Sequence, residues 1–241
     1  MYVTLGELIG HEHYKDNLKI LIKFPSRSRP DKLISVYKKY IEFANDPESI
    51  KGLITLDTDD ITVTEELQQS LMAIHAKTIV KVGYSGSKIA AVNRDMEHAG
   101  QFDIVLLASD DMIPIVKGYD TIIREKMTSL YPDTDGVLWF NDGYQGQRLN
   151  TLCILGKAYY DRFNYIYHPS YKSEWCDNEF TEVANQLGKQ TYFERIIIRH
   201  EHPTTMPHLT ENDALYIKNT QMANGDYDNY HQRKLKNFNI A

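Results

Sequence analysis

Apolar residues fall in short runs along the first half of the chain, separated by helix-length stretches of mixed polarity. The first run covers residues 18–24, where Leu18, Ile20, Leu21, Ile22 and Phe24 supply both faces of a buried strand. The Pro- and Ser-rich residues 25–30 form the loop that leaves it. Leu33, Val36, Tyr37, Tyr40, Ile41 and Ala44 then recur at helical spacing, and Asp46 with Pro47 stops the helix. The same reading predicts strands over 52–57, 78–82 and 102–108, helices over 64–75 and 88–99, and a tight loop over 83–86. Strands and helices alternating at this interval imply βαβ units, hence an α/β fold with a mostly parallel sheet.

After Pro114 the pattern is less regular. One amphipathic helix reaches about Leu130, a turn covers 131–136, and short strands are predicted over 136–140 and 151–155. Phe180, Val183, Ala184 and Leu187 mark the inner face of another helix, and residues 192–198 read as a strand running into Arg199. Residues 211–238 are polar with a helical pattern, expected to pack across the outside. With no repeat, low-complexity tract or linker, the 241 residues are expected to form one domain. Within it, 18–112 would be a regular half, 113–210 a less regular half and 211–241 a helical C-terminal segment.

Composition narrows the function classes. A hydrophobic share of 42% speaks against disorder, and a net charge of −6 speaks against a nonspecific nucleic-acid binder. No apolar run approaches the roughly 20 residues that span a bilayer, and the N-terminus carries no signal-peptide core. Cys153 and Cys176 lack CxxC spacing, which fits a reducing compartment and an expected cytoplasmic location. The 17 tyrosines are expected mainly in the core and at its rim, with stacking on sugars or bases as a second use.

The candidate chemistry begins where the fourth strand stops at Asp110 and Asp111. Hard carboxylate oxygens at the carboxyl edge of an open sheet suit Mg²⁺ or Mn²⁺ held together with substrate phosphates. The competing role is a cap on a helix beginning near Pro114. Three other loops converge on the same edge. Pro25, Ser26, Arg27 and Arg29 suit phosphate or ribose; Asp57, Asp59 and Asp60 suit a ribose hydroxyl or a base N–H; Gly83, Ser85 and Gly86 precede a helix carrying Lys88 and Asn93. The GxGxxG and GxxxxGK[ST] motifs are both missing, so a nucleotide would be held without a dinucleotide or P-loop cradle.

Asp177 stands at a predicted helix start, either as its N-cap or as a general base aimed into the crevice, with Glu174 and Glu179 in reserve. His200 and His202 alternate onto one face of an extended segment ended by Pro203 and are candidate metal ligands, whereas His11 and His13 follow no strand and read as solvated. Cys176 would serve as a nucleophile only with a base beside it. Residues 204–210 form a polar loop suited to a lid over bound donor.

In this order, the Pro25-Ser26-Arg27 loop, the acidic loop, Lys88 with Asn93, Ser109-Asp110-Asp111, the segment from Trp175 to Glu179 and a late histidine resemble the nucleotide-sugar-dependent glycosyltransferases of the GT-A fold, family 2-like group. The resemblance spans roughly Lys19 to Pro203. It implies a Rossmann-like αβα sandwich with 18–112 as the nucleotide-binding half and 113–210 as the acceptor and catalytic half, a nucleoside-diphosphate sugar donor with UDP favoured, a hydroxyl-bearing acceptor and Mn²⁺ or Mg²⁺. It implies that Asp111 binds the metal, with Ser109 and Asp110 beside it in the donor site and His200 or His202 as a further ligand. Asp177 would be the base of a single inverting displacement. Trp139, Asn141, Asp142, Glu174 and Trp175 would border the acceptor. Two other readings stand beside this one: a sugar-phosphate nucleotidyltransferase, which wants a glycine-rich basic loop that residues 25–29 lack, and a carbohydrate or nucleotide-sugar binding module without turnover.

Overall fold

The computed structural model describes residues 18–202 and 214–240. Strand β1 (Ile20–Ser26) leads through helix α1 (Pro30–Phe43) to β2 (Ile50–Asp57), and α2 (Glu65–Ile74) leads to β3 (Thr78–Gly83). A short α3 (Lys88–Asn93) precedes β4 (Ile104–Leu107). The irregular half supplies β5 (Met112–Pro114), α4 (Tyr119–Leu130), β6 (Val137–Phe140), β7 (Ile154–Gly156), α5 (Lys157–Phe163), α6 (Cys176–Gln186), β8 (Gln190–Phe193), β9 (Ile198–His200) and α7 (Ala214–Leu235).

Seven strands form one sheet in the order β3-β2-β1-β4-β7-β6-β8, and only β7 runs against its neighbours. Chain order turns back at β1: β2 and β3 build outward on one side of it and β4 on the other. That reversal opens a crevice beyond the carboxyl ends of β1 and β4, where open α/β sheets bind ligands. Alternate β1 residues feed two cores. Ile20, Ile22 and Phe24 pack with Leu33, Tyr37 and Tyr40 of α1, while Leu21 packs with Ile89, Val105 and Val183 on the opposite face. The result is three layers, with tyrosine as a principal filler: Tyr37, Tyr40 and Tyr119 are fully buried, and Phe24, Tyr40 and Tyr119 meet edge to face.

Local signals set the helix starts. Pro30 occupies the first turn of α1, Thr64 caps α2 by accepting the Leu67 N–H at 3.1 Å, and Ser87 caps α3 by accepting that of Ala90 at 3.1 Å. Three expectations need correction. The helix predicted over 88–99 ends at Asn93, because Asp95 adopts a left-handed conformation (φ 70°) and the Arg94 carbonyl is captured by buried Lys23 at 2.7 Å. Residues 192–198 are not one strand: β8 belongs to the large sheet, whereas β9 pairs antiparallel with β5 in a separate two-stranded ribbon. Neither Asp110 nor Asp111 caps a helix, since β5 follows them directly and α4 starts only at Tyr119.

Candidate active site

The crevice is a cleft of about 850 Å³ lined by the loops after β1 to β4 and by the start of α6. At one end Arg27 clamps two carboxylates, reaching Asp57 at 3.1 Å and Asp59 at 2.6 Å. Asp57 also accepts from the Ser85 hydroxyl, and Arg94 supports both, donating to Ser85 Oγ at 2.7 Å and to the Leu56 carbonyl at 2.7 Å. Behind them Lys23, fully buried on β1, donates to Thr55, whose hydroxyl in turn donates to Asp95 at 2.8 Å. Burial pushes the Lys23 ammonium down to about 7, against the pull of Asp95. A polar chain therefore runs from the sheet interior to the acidic loop and holds its geometry.

The two central carboxylates have separate partners. Arg29 binds Asp110 at 3.1 Å, with both side chains only 10% exposed. Burial, reinforced by the charge of Asp111, pushes Asp110 up to about 6, and Arg29 opposes that rise. Asp111 accepts from the Ser109 hydroxyl and faces His200 Nε2 at 3.7 Å. His200 reaches it through the ribbon, in which Met112 of β5 is registered against His200 of β9 and the Glu201 N–H donates to the Asp111 carbonyl at 2.8 Å. Burial alone would lower the His200 pKa, but Asp111 and Asp142 on either side raise it to about 9. His202 also lines the cleft and stacks on Tyr144, with ring centroids 4.6 Å apart and an interplanar angle of 5°.

On the far wall, Asp177 is the second residue of α6 and lines the cleft. It is not the N-cap. Trp175 holds that position in a left-handed conformation (φ 62°) without a side-chain cap, and Asp177 accepts only the N–H of its neighbour Asn178, at 3.0 Å. Burial raises the Asp177 pKa, with Lys88 and His200 countering, so the carboxyl has the enhanced basicity that a proton acceptor needs. Glu174, beside it in the cleft, is likewise raised by burial. The preceding loop is tied to α7: Asp226 accepts the N–H groups of Lys172, Ser173 and Glu174 at 2.9, 2.7 and 2.9 Å.

Pro25, Ser26, Arg27, Arg29, Asp57, Asp59, Lys88, Ser109, Asp110, Asp111, Glu174, Trp175, Asp177, His200 and His202 all line this one cleft. Several residues expected there do not line it, Asp60, Gly83 and Ser85 among them. Asn93 binds the loop ahead of α6 instead, accepting from the Ile166 N–H at 2.9 Å and donating to the Tyr167 carbonyl at 2.7 Å. Trp139 is buried edge-on against Tyr192, and Asn141 donates to Glu194 at 3.2 Å on an exposed loop. Asp142 is buried behind His200 and binds backbone and Thr151. Glu179 is no reserve base, because Arg233 and Tyr171 engage it, at 2.6 and 2.8 Å. Burial pushes the Cys176 thiol well up, the opposite of an activated nucleophile. Tyr84, Tyr144 and Thr151 are cleft residues that pattern reading missed; the signal for Tyr144 was a lone aromatic between Gly143 and Gly146 just beyond a strand. His11, His13 and the 204–210 loop lie outside the described residues.

No family model and no curated protein sequence matches the chain. Its architecture does have counterparts among solved structures. The mannosyltransferase PcManGT from Pyrobaculum calidifontis, in complex with GDP-Man and Mn²⁺, matches with a TM-score of 0.60 at 12% identity, over 77% of this chain and 57% of that one. The chain has a GT-A-like glycosyltransferase fold. S. aureus TarS 1-349 has the same GT-A-like fold: its UDP complex matches with a TM-score of 0.59 at 14% identity, over 76% of this chain and 60% of that one. Its UDP-GlcNAc complex gives 0.57 at 13% identity, over 76% and 58%. The chain thus spans a little under two thirds of the length of these GT-A-like structures.

Proposed function

We propose that the chain is a nucleotide-sugar-dependent glycosyltransferase that transfers a sugar from a nucleoside-diphosphate donor to a hydroxyl acceptor, with Asp177 as general base. One observation carries the reading. A basic and acidic loop pair, a carboxylate pair and a buried carboxylate of raised pKa converge on a single cleft at the reversal of strand order. In this reading Arg27, Asp57 and Asp59 bind the nucleoside, with uracil favoured, and Lys88 reaches the diphosphate.

The donor set of the cleft suits Mn²⁺ or Mg²⁺. Among the described residues no three His, Cys, Asp or Glu side chains are gathered as a metal cluster, so the protein's share would be two ligands, Asp111 and His200. That share fits ions that bind through one or two side chains plus substrate phosphates. His200 Nε2 faces Asp111 at 3.7 Å while its buried Nδ1 stands 3.4 Å from Asp142, so the imidazole edge turned to Asp111 is the one available to a cation. When bound, the ion would neutralise charge on the departing diphosphate. Arg29 compensates Asp110, so that two adjacent carboxylates coexist beside an anionic substrate. The acceptor oxygen attacks the anomeric carbon as the bond to the diphosphate oxygen breaks, and Asp177 takes the acceptor proton. Displacement on one face inverts the anomeric centre, by analogy with single-step glycoside chemistry. A cytoplasmic setting is part of the proposal: both cysteines are unpaired, and among the described residues no helix is long and apolar enough to cross a membrane.

The test is thermal stability against UDP, GDP, UDP-GlcNAc and GDP-Man, each with and without Mn²⁺, in the intact protein, Asp111→Ala and Asp177→Asn. A ligand that binds only the folded state raises the melting temperature. The expected result is a Mn²⁺-dependent rise with one base, lost in Asp111→Ala and retained in Asp177→Asn, and donor turnover lost in Asp177→Asn. A chain that no nucleotide stabilises is not a glycosyltransferase of this kind, and full turnover in Asp177→Asn removes that residue as the base.

A further inference from the structure

Asp142 lies just beyond β6, 2% exposed, and does not itself line the cleft, although Tyr144, Gln145, Thr151 and His200, which it contacts, do. Its Oδ1 accepts three successive N–H groups, from Tyr144 at 2.9 Å, Gln145 at 2.7 Å and Gly146 at 3.2 Å. Its Oδ2 accepts the Thr151 hydroxyl at 2.5 Å and stands 3.4 Å from His200 Nδ1. Its carbonyl accepts the His200 N–H at 2.7 Å. One residue therefore grips His200 through main chain and side chain together. Five contacts fix the carboxylate itself, so that it cannot rotate away from the ring.

We propose that Asp142 is a positioning residue for the divalent-cation centre, holding the His200 ring with Nδ1 protonated and with the Nε2 lone pair directed toward Asp111. This rests on the metal reading given above. A carboxylate accepting from the distal imidazole nitrogen fixes the tautomer of a ligating histidine, turns its ring and raises its donor strength, and losing such a partner typically weakens metal binding about 10–100-fold. The geometry fits that role from both ends: Nε2 points at Asp111 and Nδ1 at Asp142. Asp142 takes no ligand position of its own, because Thr151 and the 144–146 backbone already occupy its oxygens.

The test is Mn²⁺ binding followed by electron paramagnetic resonance in the presence of UDP or GDP, for the intact protein, His200→Ala and Asp142→Asn, with folding checked by circular dichroism. The intact protein is expected to bind Mn²⁺ with a nitrogen hyperfine coupling that His200→Ala lacks. Asp142→Asn, which keeps an acceptor oxygen for the backbone, is expected to bind about 10–100-fold more weakly with that coupling reduced or lost. Unchanged affinity and coupling in folded Asp142→Asn overturns the positioning role and leaves the metal centre standing. Mn²⁺ that does not bind the intact protein with either nucleotide overturns both. A second readout needs no Asp142 variant: long-range ¹H–¹⁵N spectra of the protein loaded with Mg²⁺ and nucleotide, with His200 assigned by its absence from His200→Ala, should show Nδ1 protonated. A protonated Nε2 there refutes the proposal.

Discussion

Removing the Asp226 carboxylate should unfasten the loop that presents Asp177, and the size of the effect follows from its three N–H partners. Asp226 is 2% exposed and accepts from Lys172, Ser173 and Glu174 at 2.9, 2.7 and 2.9 Å. A hydrogen bond to a charged group contributes about 1.5–3 kcal/mol, so an additive ceiling lies near ~5–9 kcal/mol. Lys172 sits at the exposed end and water can reach its N–H, whereas the Ser173 bond is buried and its donor would be stranded. Asp226→Ala should therefore cost about 3–5 kcal/mol, and Asp226→Asn, which keeps one acceptor oxygen, about 1–3 kcal/mol. For a chain of this size the alanine variant should melt roughly 6–20 °C lower. Urea denaturation measures the loss, and amide exchange at 172–174 localises it, since each ~1.4 kcal/mol of local stability is tenfold in rate when exchange proceeds by opening. Turnover should fall, and because the Ile89 N–H donates to the Lys172 carbonyl at 3.2 Å the loosening should reach the start of α3 beside Lys88. An alanine variant within about 1 kcal/mol of the parent, with unchanged exchange at those amides, would refute the clamp.

Two glycines should respond oppositely to alanine. A Cβ at Gly156 would stand 2.1 Å from the Thr134 carbonyl oxygen, backbone that cannot swing aside, so Gly156→Ala should cost about 3 kcal/mol or more by denaturation. Gly225 is helical, and a Cβ there would meet no heavy atom within 4 Å, so Gly225→Ala should gain about 0.5–1 kcal/mol. Arg162 and Lys189 hold the Asp135 carboxyl down to about 2, which makes the unfolded chain the stronger proton binder between about pH 4 and 2. The ion pair thus stabilises the fold above about pH 4, and its contribution disappears as the pH falls through about 2. Arg162 is 42% exposed, so solvent screening limits the effect to about 1–2 kcal/mol. Asp135→Asn should trail the parent by that amount at neutral pH and match it in acid, and a gap that persists at about pH 2 would count against the assignment.

The parallel half was legible because its strands and helices carry their own periodicity and stop signals. Thr64, Ser87 and Pro30 sit where caps and first turns belong, and the buried stripe of α1 is Leu33, Val36, Tyr37 and Tyr40. The convergence of the loops after β1 to β4 on one cleft was legible for the same reason, since each of them follows directly on a readable strand. Tertiary capture was not legible. Nothing near Arg94 shows that Lys23 will bind its carbonyl from 71 residues away and that its guanidinium will turn to Ser85, yet those contacts end α3 early. Asn93 is a helix residue whose side chain is spent on Tyr167, 74 residues away, which no local pattern records. The resemblance placed Asp142 at the acceptor, while the structure buries it behind His200.

The adjacency of Asp110 and Asp111 explains why residues far apart in the chain must meet at this site. Two carboxylates on consecutive residues cannot both be ionised in a mostly buried place unless each has a cationic partner, and the rise of Asp110 to about 6 records that cost. The two residues form the corner of a turn closed by the Met112 N–H on the Ser109 carbonyl at 3.1 Å, and their carboxylates engage different partners. Arg29, just beyond β1, takes Asp110. Asp111 faces His200, which the short β5–β9 ribbon brings in with Asp142 behind it; raised to about 9, the imidazole supplies the positive charge, a role a bound divalent ion would take over. Strand β5 is three residues long; Met112 and Ile113 anchor it in the core, and its register against β9 sets His200 opposite Met112, next to Asp111. A register shift of one residue would turn the imidazole to the other face of the ribbon. The irregular second half therefore closes the charge balance that the parallel half leaves open at the end of β4.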